Sequence, residues 1–122
     1  MMSFNNRTLF MERKDLNRLV HMLDAAVAVE QHIASKKESD LDLDRLLLGG
    51  VIHELLIIGE AANAVSSQTR NNLPNIPWKE IIGMRNQLIH CYFEISHKIV
   101  WKTLREDIPK LILELQKVIP KG

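Results

Sequence analysis

The chain reads as all-α, an antiparallel four-helix bundle, on three observations. Leu, Ile and Ala carry the apolar load, while aromatic residues make up only 5% of the chain, a balance that favours helices over sheets. Apolar residues recur at three- and four-residue spacing over long stretches, the period of a helix with a buried face. The segments between those stretches are short and rich in Ser, Asn, Asp and Pro, so successive helices turn back on one another. At 122 residues the chain suits one domain, 1–122. A domain of this size buries roughly two-thirds of its unfolded surface and needs no disulfide or metal to fold.

A first helix is expected over 8–36, with Leu16, Leu19, Val20, Leu23, Val27 and Ile33 as its apolar stripe. SKKESD, residues 35–40, is a polar turn in which Ser39 or Asp40 can cap the next helix. That second helix is expected over 41–67. Its apolar residues, from Leu46 through Ile58, nearly encircle it. A helix apolar on most sides is central, or packs on a second subunit as well. Gly49, Gly50 and Gly59 lie inside it. Each costs about 1 kcal/mol relative to Ala, and close backbone approach is the expected compensation. SSQTRNNLPNIP, residues 66–77, reads as a loop, and Pro77 fits the first position of a third helix over 77–91. YFEIS is a short break. Ser96 can cap a fourth helix over 97–119, which Pro109 should bend or divide.

Composition narrows function only a little. A net charge of +1 neither announces nor excludes nucleic-acid binding, because a local basic patch suffices. Cys91 is the sole cysteine, and the opening MMSFNNRTLFMERKDL has charges where a signal peptide needs an apolar stretch. Both features suit a cytoplasmic protein. No run of about 18 apolar residues is present, so no membrane span is expected. His21, His32, His53 and His97 are scattered, and no Gly-rich phosphate loop or acidic cluster occurs. Neither metal nor cofactor is therefore expected.

The exception to this ordinary picture is RNQLIHCY, residues 85–92. An Arg-x4-His pair should arise by chance about 0.3 times in a chain of this composition, and the lone tyrosine two residues later lowers that to about 0.002. On a continuous helix Asn86 and His90 lie about 40° apart, but Arg85 and His90 lie about 140° apart. Three arrangements remain open. Arg85 curls round, the helix ends near His90, or a second copy completes the site across a dimer.

The chemistry is specific. Histidine takes or gives a proton near neutral pH, and the arginine fork matches phosphate oxygens. Together they suit metal-free cleavage of RNA, which carries its own nucleophile in the 2′-hydroxyl. Two histidines, one per subunit, would divide the acid and base roles. Plainer roles stand beside these. Arg85 can be a surface arginine, His90 a structural histidine, Asn86 a helix-end hydrogen bonder and Tyr92 an anchor. Glu60 in GEAA either neutralises Arg85, orients His90 or is simply solvated. Lys36, Lys37, Arg70 and Lys79 can bind RNA backbone or be solvated surface.

RNQLIHCY resembles the R-x4-H-x-Y motif of HepT-type HEPN-domain RNase toxins. The likeness extends to LLIIGEAANAVS (55–66), IPWKEIIGMRNQLIHCYF (76–93) and VWKTLREDIPKL (100–111), and covers roughly 12–119. It implies a homodimeric HEPN-like four-helix bundle whose two motifs meet in a cleft, cutting tRNA or mRNA. It also implies a toxin–antitoxin pair, in which a small nucleotidyltransferase antitoxin transfers AMP from ATP to the motif tyrosine. On this chain Arg85 would stabilise phosphate, His90 would transfer protons, Asn86 would support, and Tyr92 would accept AMP. Cys91 stands where many members have glycine, so the turn that orients Tyr92 is open to question. Two rivals remain: a non-catalytic subunit that binds nucleotide or substrate for a nucleotidyltransferase, and a purely structural dimerisation domain.

Overall fold

The computed structural model describes residues 11–120. The expected start of the first helix, at 8–10, lies outside the described residues, as do most of the opening segment and the last two positions. Everything regular in the described residues is helical. α1 spans Arg13–Ile33, α2 Asp40–Leu43, α3 Arg45–Ala64, α4 Ser67–Asn72, α5 Trp78–His90, α6 His97–Lys102 and α7 Ile108–Val118. α3 packs on both α1 and α5, and α1 also packs on α7.

α1 buries Asp15, Leu19, Met22, Ala25, Ala26, Val29 and Ile33. The expected stripe is thus rotated. Leu19 and Ile33 belong to it, while Leu16, Val20, Leu23 and Val27 form a half-buried flank. Small Ala25 and Ala26 let the neighbouring helix approach on that side, which hydrophobicity alone does not reveal.

The expected helix 41–67 is divided into α2 and α3 and stops at Ala64. Asp44 sits in an extended conformation (φ −118°, ψ 99°), and its Oδ1 accepts from the Leu47 amide at 3.0 Å. It therefore ends α2 and caps α3, because aspartate favours a cap over a helix interior. Ser39 makes no cap bond. Asp40 turns back instead, its Oδ2 accepting from Lys37 N at 2.8 Å. At the other end Val65 and Ser66 are extended, and Ser66 Oγ caps α4 by accepting from Thr69 N at 3.2 Å. A short helix thus stands in the segment expected as loop.

Asp15 explains why α4 forms there. Its side chain is buried under the α3–α4 junction, where Oδ1 accepts from Ser66 N at 3.1 Å and Oδ2 from Ser66 Oγ and Thr69 Oγ1, each at 2.7 Å. Burial alone would raise this carboxyl's pKa. The hydrogen bonds from Ser66 and Thr69 and the nearby Arg18 charge outweigh it and hold the value below the usual 3.8.

Pro77 lies just before α5 rather than in its first turn. α5 stops at His90, one residue short of the expected end. Ser96 caps α6 as expected, accepting from Ile99 N at 3.3 Å. Between α6 and α7 the chain widens into a π-helical turn at Thr103–Asp107. Pro109 supplies no N–H, and its ring crowds the carbonyl of Arg105, so the wider turn divides the fourth helix where a bend or break was expected.

α3 is the central helix. By length and composition it is apolar enough to cross a membrane, although no single unbroken apolar run was visible in it. Its buried residues (Leu47, Val51, Ile52, Leu55, Ile58, Gly59 and Ala62) pack within the protein. Leu46 stays 88% exposed, and Leu56, Ile57 and Ala61 stay half-buried along a groove that Arg18 and His21 of α1 line from the other side.

Candidate active site

Arg85 is set in place by a glycine. A Cβ on Gly59 would lie 2.2 Å from Arg85 Cβ and 2.7 Å from its Cγ, a separation that no pair of side chains tolerates. Gly59 therefore lets α3 and α5 touch at the level of the motif. The same expectation fails at Gly49 and Gly50, where nothing lies within 4 Å of an added Cβ.

From that contact the Arg85 side chain runs across to α3. Its Nε and Nη2 donate to Glu60 Oε1 at 3.1 and 2.8 Å, and its Nη1 donates to Asn86 Oδ1 at 2.7 Å. The side chain of Arg85 is 23% exposed and that of Glu60 57%, so the ion pair is screened by water and its worth lies in aim more than in stability. Among the described residues, one N–H on Nη1 and one on Nη2 make no hydrogen bond. Guanidinium N–H groups of this kind can donate to phosphate oxygens.

The angular problem posed by the motif is resolved by Asn86. It precedes His90 by one helical turn, so both side chains leave α5 on one face. Arg85 curls to join that face by bonding Asn86. Among the described residues Arg85 makes no hydrogen bond to His90, which is exposed as the last residue of α5. Two of the three open arrangements, a curled arginine and a helix ending at His90, thus coexist.

Cys91 ends the helix at φ −133°, ψ 36°, its N–H bonded to Gln87 O at 2.7 Å. This φ is negative and open to any side chain, so the turn has no need of glycine. The 3₁₀ turn Tyr92–Glu94 follows. Tyr92 is 45% exposed, its ring edge-to-face with Phe93 at 5.1 Å, and Phe93 is 97% exposed. Sequence reasoning passed over Phe93, since an aromatic beside a helix end ordinarily packs inward.

Of the other histidines, His97 Nδ1 contacts Asp42 Oδ1 at 2.5 Å, tying α6 to α2. Among the described residues no three His, Cys, Asp or Glu side chains group to hold a metal. Of the cations singled out for RNA, Arg70 and Lys79 line one cleft together with Asn86. Lys36 and Lys37 do not line it. Trp78 is half-buried, with its indole N–H donated to Leu73 O at 2.9 Å.

Comparison with known proteins points the same way. The family described as Ribonuclease HepT-like matches residues 22–118. A Methanocaldococcus jannaschii protein, provisionally named as an RNase, is 34% identical over 109 residues, covering 88% of this chain and 100% of its own. A second, from Caldanaerobacter subterraneus subsp. tengcongensis and named in the same way, is 32% identical over 103 residues, 84% of this chain and 92% of its own. A Thermococcus cleftensis protein named "Probable ribonuclease HepT" is 33% identical over 108 residues, 88% of this chain and 98% of its own. No solved structure matches. With the match running through α3, α5 and α7 and holding both Arg85 and His90, the chain belongs to the HepT-like ribonuclease family.

Proposed function

We propose that this protein is a metal-independent endoribonuclease, the toxin of a toxin–antitoxin pair, acting at a cleft between two copies of the chain. The observation that carries the reading is the Arg85 guanidinium, held by Glu60 and by Asn86, which stands one helical turn before His90. His90 takes the proton of a ribose 2′-hydroxyl. The 2′-oxygen attacks the adjacent phosphorus, and charge on the non-bridging oxygens falls to the Arg85 fork. The P–O5′ bond breaks, and the leaving 5′-oxygen takes a proton from the His90 of the second copy. The products are a 2′,3′-cyclic phosphate and a 5′-hydroxyl. DNA has no 2′-hydroxyl and should be left intact. The half-buried apolar strip of Leu56, Ile57 and Ala61 beside Glu60 supports a dimer, because it offers apolar area that a single copy leaves uncovered.

Incubation of purified protein with RNA in chelator tests this chemistry. Cleavage to cyclic-phosphate ends, reduced about 10²–10⁴-fold in His90→Ala, is expected. Equal cleavage by both proteins would sink the mechanism. ATP held in the cleft with RNA left whole would favour the nucleotide-binding subunit.

Regulation falls to Tyr92. Its half-exposed ring beside the motif supports its role as acceptor for a nucleotidyltransferase antitoxin. The tyrosyl oxygen attacks the α-phosphorus of ATP, pyrophosphate leaves and the phenolic proton passes to solvent. The AMP then places bulk and negative charge where RNA phosphate must sit. Intact mass after reaction with partner and ATP should rise by AMP in the native chain and not in Tyr92→Phe.

A further inference from the structure

We propose that the cleft between α4 and the outer face of α5 is a second phosphate site, holding the backbone of single-stranded RNA at a nucleotide away from the bond that is cut. The proposal rests on the ribonuclease reading above and adds a substrate subsite to it. The cleft measures ≈ 670 Å³, within the range of about 300–1,000 Å³ usual for ligand sites. Arg70 enters it from α4 and Lys79 from α5, with the amides of Asn71 and Asn86 beside them, and no carboxylate lines it. Arg70 Nε is buried without a hydrogen-bond partner, and among the described residues no acid pairs with that guanidinium. A buried cationic N–H without an acceptor is costly. A phosphate in the cleft would bring the missing negative charge.

The position of the cleft matters as much as its charge. Lys79, Gly83, Asn86 and His90 follow one another at four-, three- and four-residue steps, so they share one face of α5. The eleven steps from Lys79 to His90 rise about 16 Å, and a stacked strand rises about 3.4 Å per nucleotide, so this face spans several nucleotides. Asn86 joins the two sites. Its Oδ1 holds Arg85, and the side chain lines the cleft with its N–H groups left to donate. A neighbouring cleft of ≈ 700 Å³ carries Glu80, Asp107 and Glu114 against Lys110 and against Lys79, which lines both clefts. Burial above all, and then the charges of Glu80 and Glu106, pushes the Asp107 carboxyl above its usual value. Pro74, Trp78 and Lys79 are common to both clefts, and only the Arg70 side is without carboxylates, so the strand is directed along that side.

Two substrates and three variants test this. A diribonucleotide has only the scissile phosphate, whereas a 12-mer of single-stranded RNA also reaches the cleft. The Arg70→Ala/Lys79→Ala double variant should raise KM for the 12-mer roughly tenfold or more with kcat held, and leave kcat/KM for the diribonucleotide within about twofold. The log-affinity against log-salt slope should flatten by about 0.7 per lost phosphate contact. Gly83→Leu should act likewise by filling the cleft, since nothing lies within 4 Å of a Cβ there. Exposed Lys79→Glu carries the charge test alone if the half-buried Arg70 proves necessary for folding. Unchanged KM and salt slope for the 12-mer, or equal losses on both substrates, would overturn the subsite. If the native protein cleaves neither substrate, the ribonuclease reading fails. The subsite is then judged on binding of a fully 2′-O-methylated 12-mer, which must weaken in the same variants.

Discussion

Asp15 and Glu60 each tie one helix to another element, but their surroundings differ. The Asp15 side chain is 3% exposed and that of Glu60 57%. Asp15 takes donors on both oxygens, from Ser66 N, Ser66 Oγ and Thr69 Oγ1. Glu60 engages one oxygen with two nitrogens of Arg85, and the arginine keeps two N–H groups for something else. A closed cluster of the first kind holds the fold. An open one of the second kind adds little stability and keeps a charge aimed at a ligand. The separation can be tested by asking which variants move stability and which move catalysis.

The largest effect should come from Arg85→Ala. Cleavage should fall about 10²–10³-fold, the usual loss on removing a donor to developing charge, while denaturant melts shift by less than about 1 kcal/mol. A melt displaced by several kcal/mol would mean that the open cluster is structural after all.

Asp15→Ala should do the reverse. It leaves the buried Thr69 hydroxyl without its acceptor and strips the more exposed Ser66 of its partner, at a cost of about 1–3 kcal/mol, with cleavage per folded molecule unchanged. The same group governs acid stability. Its folded pKa lies below 3.8, so its contribution is complete above that value and is lost as pH falls from there through the folded pKa. Asp107 has the opposite sign. Its folded pKa is raised by burial and by Glu80 and Glu106, so protonation on descent from neutral pH first adds stability. Melting temperature against pH should rise slightly and then fall. Asp107→Asn should remove the rise, and Asp15→Ala should flatten the fall.

Legibility in the sequence followed the range of the interaction. Helical periodicity is local, and it located the long helices and the break after His90. Asp44 lay in an apolar run whose period continues through it, so the cap that splits α2 from α3 was missed. Asp15 lay beyond reach for another reason. Its partners are 51 and 54 residues away, and an aspartate near a helix start reads as solvated until those partners are known. Within the motif, residue types and spacing singled out Arg85 and His90, and the family resemblance added the roles expected of Asn86 and Tyr92. The bond from Arg85 to Asn86 was hidden, because helical angles describe where a side chain leaves the backbone and not where a long one ends. One sequence signal was available for the Asp15 cluster. Asp15, Leu19, Met22, Ala26, Val29 and Ile33 step by four, three, four, three and four, which places a carboxylate on a buried stripe and asks for partners.

Gly59→Ala should fall between the two clusters, because it presses α3 away from α5 just where Arg85 is rooted. A loss of about 1–3 kcal/mol is expected from the overpacking, together with a lower kcat as the Arg85 fork moves off its aim. Gly50→Ala, with open space around it, is the control. It should gain up to about 1 kcal/mol from helix propensity and leave cleavage alone.

The smallest effect is also the most discriminating, because it makes one chemical change in both clusters. At Glu60, replacement by Gln keeps an oxygen for Arg85 Nε and Nη2 and removes a negative charge from beside the incoming phosphate. Stability should change by under about 0.5 kcal/mol, and RNA should bind about two- to threefold more tightly as competition for the arginine weakens. Glu60→Ala removes the guiding oxygen as well, and should lower kcat. At Asp15, replacement by Asn removes the charge that Ser66 and Thr69 hold and gives one oxygen where two were in use, so stability should fall by about 1–2 kcal/mol. Acid-to-amide exchange thus tightens binding at the open cluster and loosens the fold at the closed one. Equal destabilisation at both positions would show that Glu60, despite its exposure, is part of the frame.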